Sequence, residues 1–382
     1  MIDINSKTYC PLIFHGIYVE RTSNGAYHIA PCSTSKKSQV LTQKIDFVNN
    51  RYLNLLRVSA NNNVRAPHCQ SCWVVEDNHG ESKRQVYIDL YRENQIPQTQ
   101  SIVLFSLAYN TLPICNAKCI ICSPTYSSAW IQDAQLLNNT ESGFTKSTNI
   151  SDINKEQNQL DGLDLTQLKS VYFNGGEPLL TNDHVTILTQ LQNINEVAVS
   201  YNINGSCYPT EDVLQLWSKA KEVTLSLSID GINEQFEYIR NPLIWKQVSD
   251  NIAKLNNCLP NLKINIAYTV GLHNVFGLRE CINWCNTNID KFDVATQFHV
   301  HTANGKLDIK FAGRELRKSF LNELSLIDNN KFYWGTSLKN YVRSTVDPSN
   351  DWMDYLYSLD KIRNTNWETT FVELYENSLN DR

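Results

Sequence analysis

The chain lacks several features that would identify its class at once. Its 382 residues contain no run approaching 18 apolar residues, so no membrane-spanning helix is expected. The opening residues 1–6 have neither the charged nor the apolar region of a secretory signal, and we therefore expect a cytoplasmic protein. Lysine and arginine total 34 against 39 aspartates and glutamates, a net charge of −5. This balance argues against a nucleic-acid partner, because surfaces that bind nucleic acid are usually basic.

Common catalytic motifs are also missing from the sequence. There is no Ser-His-Asp set, no Walker phosphate-binding loop and no metalloprotease motif, and the histidines show no metal-binding spacing. His299 and His301 alternate along the last predicted strand, so they face one side, where core packing is the default role. The sequence therefore identifies no catalytic acid or base.

Strand and helix signals alternate through the middle of the chain. Strands are predicted near residues 101–108, 169–173, 196–203, 222–229, 262–270 and 292–301, and helices near 126–137, 182–193, 210–220, 244–257 and 275–287. Alternating units of this kind imply an α/β fold with a parallel sheet and right-handed crossovers. Six units are too few for an eight-stranded barrel. They predict an open sheet or a partial, TIM-like (β/α)6 barrel.

The flanking regions have different patterns. The sequence predicts a hairpin from residues 8–20 and 26–31 around Ser23-Asn24-Gly25, a helix over 38–57 and partly helical structure over 73–95. An Asn-rich stretch, 138–160, is expected to be a surface insertion, and a helix over 313–327 begins a helical carboxyl-terminal extension. The expected domains are residues 1–98, 99–302 and 303–382.

What the chain has in quantity is cysteine. Its 11 cysteines are an odd number, and stable disulfides are rare in the cytosol, so metal binding or core packing must account for them. Cys281 and Cys285 share one face of a predicted helix, and small buried side chains are their expected role. Cys207 and Cys258 have no informative spacing and are expected to be structural.

Three cysteines follow the first strand of the alternating region. Cys115, Cys119 and Cys122 are separated by three and two residues, on a loop at the carboxyl end of a parallel strand, where active sites of such folds lie. Two sites fit this spacing. One is zinc with a distant fourth ligand, since structural zinc needs four. The other is a [4Fe-4S] cluster with one iron open to an added ligand.

The second strand end distinguishes between these alternatives. Gly175-Gly176-Glu177-Pro178 follows it, and paired glycines let a backbone approach a ligand closely. The cysteine spacing and this Gly-Gly-Glu-Pro segment together resemble the radical S-adenosylmethionine (SAM) enzyme superfamily. In that family the open iron binds S-adenosylmethionine, and an electron from the cluster releases a 5′-deoxyadenosyl radical that abstracts hydrogen from a substrate.

The resemblance implies roles for individual residues. Cys115, Cys119 and Cys122 would hold the catalytic cluster, and the Gly175–Pro178 segment would cradle S-adenosylmethionine. Later strand ends resemble family patterns that contact the ribose and carboxylate of this cofactor. The residues they imply as cofactor contacts are Asn204, Ser228, Asp230 and Arg240.

The amino-terminal cysteines resemble a subgroup of the same superfamily. Cys10 and Cys32 flank the predicted hairpin, and Cys69 and Cys72 follow as a Cys-x2-Cys pair. This arrangement resembles the auxiliary-cluster region of the SPASM and Twitch enzymes, although that region usually follows the core and here precedes it. The four cysteines would hold a second [4Fe-4S] cluster; structural zinc bound by the same thiolates, or no metal, are the alternatives.

Two functions from different classes follow. The first is a radical SAM enzyme supplied with electrons by a flavodoxin or ferredoxin, with a peptide or protein side chain as the substrate that the subgroup resemblance favours. The second is a non-catalytic binding protein that keeps the scaffold and a stabilising metal. The intact Gly175–Pro178 segment favours the enzyme.

Overall fold

The structure is a computed structural model of the chain. It describes residues 2–21, 27–37, 40–41, 45–77, 80–93, 99, 101–137, 160, 162–327, 333–344 and 348–381. The described chain is a mixed α/β protein that divides into two compact units. The first comprises residues 1–112, 144–201 and 211–223, and the second residues 113–143, 202–210 and 224–382. No helix within the described ranges is long and apolar enough to cross a membrane.

The strands are short and numbered here in chain order. They are β1 (Gly16–Arg21), β2 (Tyr27–Ala30), β3 (Val40–Leu41), β4 (Ser106–Asn110), β5 (Ser170–Asn174), β6 (Ala198–Ile203), β7 (Glu222–Ser228), β8 (Leu262–Val270) and β9 (Phe298–Thr302).

The helices are numbered in the same way. They are α1 (Pro11–His15), α2 (Arg51–Asn61), α3 (Gln70–Asp77), α4 (Lys83–Arg92), α5 (Ile131–Leu136), α6 (Asp183–Gln190), α7 (Glu211–Lys219), α8 (Asn233–Ile239), α9 (Trp245–Leu255), α10 (Leu278–Asn288), α11 (Val294–Gln297), α12 (Arg314–Ser325), α13 (Tyr333–Arg343), α14 (Asp351–Arg363), α15 (Trp367–Thr370) and α16 (Val372–Ser378).

The first unit is built on strands in the order β3-β2-β1-β4-β5-β6. β1 pairs antiparallel with β2, which confirms the predicted hairpin, whose turn lies outside the described residues. Its predicted first arm, residues 8–20, is wrong in Pro11–His15, which forms α1 because Pro11 suits the first position of a helix. β1 also pairs in parallel with β4, placing Gly16 opposite Ser106. β4, β5 and β6 then continue in parallel. The hairpin therefore extends the parallel strands.

Strands β5, β6, β7 and β8 bury alternate residues because their two faces have different surroundings. In the first unit Leu107, Val171, Phe173 and Val199 are fully buried, whereas their strand neighbours are half-buried. In the second unit β7, β8 and β9 are neighbours in that order, with β8 and β9 parallel. There the apolar positions alternate with the half-buried Thr224, Ser226 and Ser228 of β7.

Several local predictions differ from the structure. The predicted helix over 38–57 is wrong in its first part, because Val40–Leu41 forms a strand that pairs antiparallel with β2 and the helix begins at Arg51. Pairing with a free sheet edge outweighs the helical spacing of the apolar residues. The strand predicted at 101–108 lies at Ser106–Asn110, and the strand predicted at 292–301 begins at Phe298 after a short helix.

The other sequence-based assignments fall close to the observed elements. The predicted helix at 313–327 is α12, and the remaining described tail is helical in α13 to α16. The expected insertion at 138–160 lies, apart from Leu160, outside the described residues. The division into domains at 98 and 302 stays a prediction.

Candidate active site

The loop that carries the three predicted cluster cysteines, residues 113–122, lies in the second unit. Cys119 is buried, and Cys115 and Cys122 are half-buried. Main-chain hydrogen bonds fasten the loop to the last residue of α8 and to the segment after it: the Ile120 amide donates to the Ile239 carbonyl at 2.9 Å and the Lys118 amide to the Asn241 carbonyl at 2.7 Å. These bonds fix the backbone on both sides of Cys119.

Side chains from the segment before α5 brace the same loop. The Ser127 hydroxyl donates to the Ala117 carbonyl at 2.6 Å, and the Trp130 indole N–H donates to the Cys119 carbonyl at 2.7 Å. The Cys115 amide donates to the Ser128 hydroxyl at 3.2 Å. Each bond satisfies a backbone group that a loop would otherwise leave to water. The loop is thus held in one shape by its own neighbours.

The three thiols are electrostatic neighbours in a buried setting. Burial raises the pKa of Cys119 to about 11, an effect that Arg240 opposes and Cys115 reinforces. Burial raises the pKa of Cys122 to about 12, and Cys119 raises it further. Without metal these groups are protonated at neutral pH, so any metal that bound them would have to displace their protons.

Arg240 is the cation beside these thiols. Its Nη1 lies 3.6 Å from the Cys119 Sγ, and its Nη2 lies 2.5 Å from the Asp230 carboxylate. Both side chains are buried, and the Arg240 Nε has no hydrogen-bond partner among the described residues. A buried guanidinium beside thiolates favours their ionised form and so their binding to metal.

Asp230 orients Arg240, and its own carboxylate is fully engaged. Its second oxygen accepts from the Thr269 amide at 2.6 Å, and its carbonyl accepts from the Asn274 side chain at 2.9 Å. The Asn274 side-chain oxygen also accepts from the Gly271 amide at 2.8 Å. Asn274 thus supports the Asp230–Arg240 pair, a role that its position after a strand did not reveal.

Asn204 belongs to a second brace of the cysteine loop. Its side-chain amide donates to the Asn116 side chain at 2.9 Å, and Asn116 donates in turn to the Ser206 hydroxyl at 2.8 Å. Asn116 lies between Cys115 and Cys119, two of the predicted cluster cysteines, and no sequence pattern singles it out. Ser228, at the end of β7, is half-buried, and its hydroxyl makes no side-chain hydrogen bond in the described part of the chain.

The Gly175–Pro178 segment follows β5 in the first unit. Gly175 has a φ of +130°, and a Cβ there would meet the backbone N and O of Thr111 at 2.8 Å. Gly176 donates its amide to the Leu112 carbonyl, and the buried Glu177 carboxylate accepts from the Leu179 amide at 3.3 Å. Gly175 is therefore required by a close backbone approach between two strand ends.

The four amino-terminal cysteines meet within the first unit. Cys10, Cys32, Cys69 and Cys72 line one small cavity together with Trp73 and Arg84. Burial is the main cause of a raised pKa at Cys10, and the charges of the neighbouring Cys32 and Cys69 raise this pKa further. Burial raises the pKa of Cys69 to about 12, and Cys32 adds to this. Hairpin, loop and helix α3 thus bring all four thiols to one place.

The remaining candidate cysteines and histidines differ in how deeply they are buried. Cys281 and Cys285 are fully buried on α10, as expected for core residues. Cys207 and Cys258 are half-buried. On β9 His299 is half-buried and His301 is exposed, and burial lowers the pKa of His299.

Across the described ranges, no three His, Cys, Asp or Glu side chains converge as ligands of a single metal ion. A four-iron cluster binds each cysteine through a different iron, so its thiolates need not share one ion. Residues 109–275 match the family model described as the radical SAM superfamily.

These residues form a radical SAM domain.

The match of residues 109–275 to the radical SAM superfamily agrees with what the cysteine spacing and the Gly-Gly-Glu-Pro segment predicted. The [4Fe-4S] cluster and S-adenosylmethionine are the cofactors that this superfamily implies, and the buried cysteine loop beside Arg240 suits the cluster.

Solved structures were compared with the chain as well. Histidine-tagged anSMEcpe with bound AdoMet is similar with a TM-score of 0.40 and 18% identity, covering 64% of this chain and 61% of that one. Native anSMEcpe with AdoMet and the Cp18Cys peptide gives 0.39 and 16%, over 64% and 63%. Streptococcus suis SuiB bound to S-adenosylmethionine gives 0.34 and 13%, over 94% and 73%. The chain thus spans less than two thirds of anSMEcpe. No curated protein matches it.

Proposed function

We propose that this radical SAM enzyme binds a [4Fe-4S] cluster through Cys115, Cys119 and Cys122 and uses it to cleave S-adenosylmethionine reductively. The observation that carries the proposal is the buried loop bearing these cysteines, braced on both sides and flanked by Arg240, within the radical SAM domain. When bound, the cluster supplies the electron that generates a 5′-deoxyadenosyl radical from the cofactor.

The chain's own residues position this chemistry. Arg240 is held by Asp230 at 2.5 Å and keeps a guanidinium against Cys119. The proposed contacts of S-adenosylmethionine are the Gly175–Pro178 segment, Asn204, Ser228, Asp230 and Arg240. The unpartnered Ser228 hydroxyl supports this set, because a half-buried donor at a strand end is available to a ligand. Asp230 and Asn204 contribute mainly by orienting Arg240 and Asn116.

The test is anaerobic reconstitution with iron and sulfide, followed by metal analysis and electron paramagnetic resonance (EPR) of the reduced protein. We expect a four-iron signal, and formation of 5′-deoxyadenosine from S-adenosylmethionine under a strong reductant. The Cys115→Ala/Cys119→Ala/Cys122→Ala variant should lose the product and the part of the four-iron signal that belongs to this cluster. Cys258→Ala, which removes a half-buried cysteine elsewhere in the same unit, should lose neither.

Two results would contradict the proposal. Reconstituted protein that binds no iron excludes the cluster. Protein that binds the cluster but never cleaves the cofactor supports the alternative, a metal-stabilised binding protein on the same scaffold.

We also propose that Cys10, Cys32, Cys69 and Cys72 hold an auxiliary [4Fe-4S] cluster in a Twitch-like domain, residues 1–98, ahead of a core at 99–302 and an extension at 303–382. The shared cavity and the mutual repulsion of the thiols support a common site. Arg84, which pairs with Glu76 at 2.6 Å, lies at the wall of the same cavity. Zinc is the alternative metal.

The partners belong to the proposal as well. A flavodoxin- or ferredoxin-type protein would supply the electrons that the cluster requires. A peptide or protein side chain is the proposed substrate, because the amino-terminal cysteines resemble the SPASM and Twitch subgroup.

A further inference from the structure

A buried ion cluster links the cysteine loop to the carboxyl-terminal helix α14, and both belong to the second unit. The Asp133 carboxylate pairs with Lys118 of the loop at 2.8 Å and with Arg363 at the end of α14 at 2.7 Å. The side chains of Asp133 and Arg363 are each only 2% exposed. Two cations therefore share one carboxylate, and the cluster carries one net positive charge.

Arg363 reaches further into the supports of Cys119. Its guanidinium lies over the Trp130 ring, 4.8 Å from the centroid, and Trp130 holds the Cys119 carbonyl. Its Nη1 and Nη2 are buried and have no hydrogen-bond partner among the described residues. By contrast, Arg240 and Asp230 form a pair of zero net charge.

We propose that Arg363 is a positioning residue whose uncompensated positive charge raises the reduction potential of the cluster held by Cys115, Cys119 and Cys122. The inference rests on the proposed function, since it requires that cluster.

The physical argument concerns the charge of the two redox states. Reduction adds one negative charge to a cluster that three thiolates already make anionic. A buried cation stabilises the more negative state more strongly, and the low dielectric of the interior reduces screening by water. Removing the cation should therefore make the cluster harder to reduce. The hydrogen bonds and charges around the sulfurs are known determinants of such potentials.

Four variants separate charge from structure. Arg363→Gln takes the net charge of the ion cluster from one to zero, and Asp133→Asn raises it to two. The Arg363→Gln/Asp133→Asn double variant restores a net charge of one through Lys118 while abolishing the ion pair. Lys361→Met, at an exposed position of the same helix, is the control for charge removal as such.

The measurement is a redox titration of the reconstituted protein without S-adenosylmethionine. The titration monitors the part of the EPR signal that is absent from the Cys115→Ala/Cys119→Ala/Cys122→Ala variant. We expect the most negative midpoint for Arg363→Gln, the least negative for Asp133→Asn, and wild-type values for the double variant and Lys361→Met. Arg363→Lys should also stay near wild type because it keeps the charge, and it guards against misfolding of Arg363→Gln.

The outcomes distinguish the two proposals. A wild-type protein without the cluster signal refutes the proposed function, and this inference with it. A wild-type signal whose midpoint is unchanged in Arg363→Gln overturns this inference alone. A double variant that shifts as far as Arg363→Gln also overturns it, because the effect would then come from lost packing.

Discussion

Gly175 combines a left-handed backbone with a close contact, so its identity is tied to local geometry. Its φ of +130° is costly for any L side chain, and the Thr111 backbone occupies the space of a Cβ. The sequence located this glycine through its motif and attributed it to ligand approach. The contact with Thr111 is a non-local fact, set when β4 and β5 pair, and no sequence pattern could supply it.

Gly175→Ala should lower the free energy of unfolding by about 3 kcal/mol or more, since backbone strain and overpacking add. Gly305→Ala is the control, because Gly305 also has a positive φ, +70°, but a Cβ there meets nothing within 4 Å. That change should lower the free energy by only about 1 kcal/mol. Denaturant unfolding of both variants tests this, and equal losses would show that the Thr111 contact is unimportant.

His273 is a buried titratable residue in the second unit, and neither ring nitrogen has a partner within the described ranges. Burial lowers its pKa from 6.5 to about 3. Between these values the unfolded chain binds a proton that the folded chain does not, so the contribution of His273 destabilises the fold as pH falls.

His273→Leu should therefore flatten the pH dependence of stability between about pH 6 and 4, by up to ~1.4 kcal/mol per pH unit. Phe371→Leu alters the ring whose centroid lies 6.0 Å from that of His273, yet removes no ionisable group. It should leave the slope unchanged. Unfolding curves at several pH values measure both, and an unaltered slope in His273→Leu would mean that the residue does not stay neutral when folded.

Helix α14 supports the cysteine loop. The Tyr355 hydroxyl donates to the carbonyl of Ile120, next to Cys119, at 2.7 Å, and Ile120 is buried. This contact lies two turns from Arg363 on the same helix, so α14 supports the loop at two points. This support was not predicted, because the carboxyl-terminal region was assigned only as a helical extension and carries no motif.

Tyr355→Phe should lower the free energy of unfolding by about 1–3 kcal/mol, because it leaves a buried carbonyl without its donor. We also expect the reconstituted variant to lose iron to a chelator faster. Tyr357→Phe removes from the same helix a hydroxyl that bonds the Glu368 carboxylate at the exposed surface, where such a bond adds little, so stability should change by no more than about 0.5 kcal/mol. Identical iron-loss rates in the two variants would argue against the support of the cysteine loop by α14.

Elements with strong periodicity were predicted closely, whereas short ones were not. The apolar alternation of β8 placed that strand at 262–270, as observed. The two-residue β3 was missed because its pairing with β2 depends on a partner distant in sequence. Asn116 and Asn274 were missed as parts of the site for a similar reason. Asn116 acts through a side-chain hydrogen bond to Asn204, 88 residues away, and Asn274 through one to Asp230, 44 residues away.

At the scale of the molecule, the two sets of cysteines belong to different compact units, so their metals should be separable. The Cys115→Ala/Cys119→Ala/Cys122→Ala variant should retain roughly half the iron and sulfide, as expected when one of two equal clusters is lost. A variant with Cys10, Cys32, Cys69 and Cys72 changed to alanine should retain the other half. Zinc in place of that iron would overturn the auxiliary-cluster assignment.

The support of the cysteine loop by α14 has a consequence for how the protein folds during its synthesis. Tyr355 lies 235 residues after its partner Ile120. At a synthesis rate of about 5–20 residues per second, the cysteine loop leaves the ribosome roughly 12–50 s before the helix that covers it. During that interval the loop lacks the contacts of Tyr355 and Arg363. The loop is therefore fully supported only when synthesis is nearly complete.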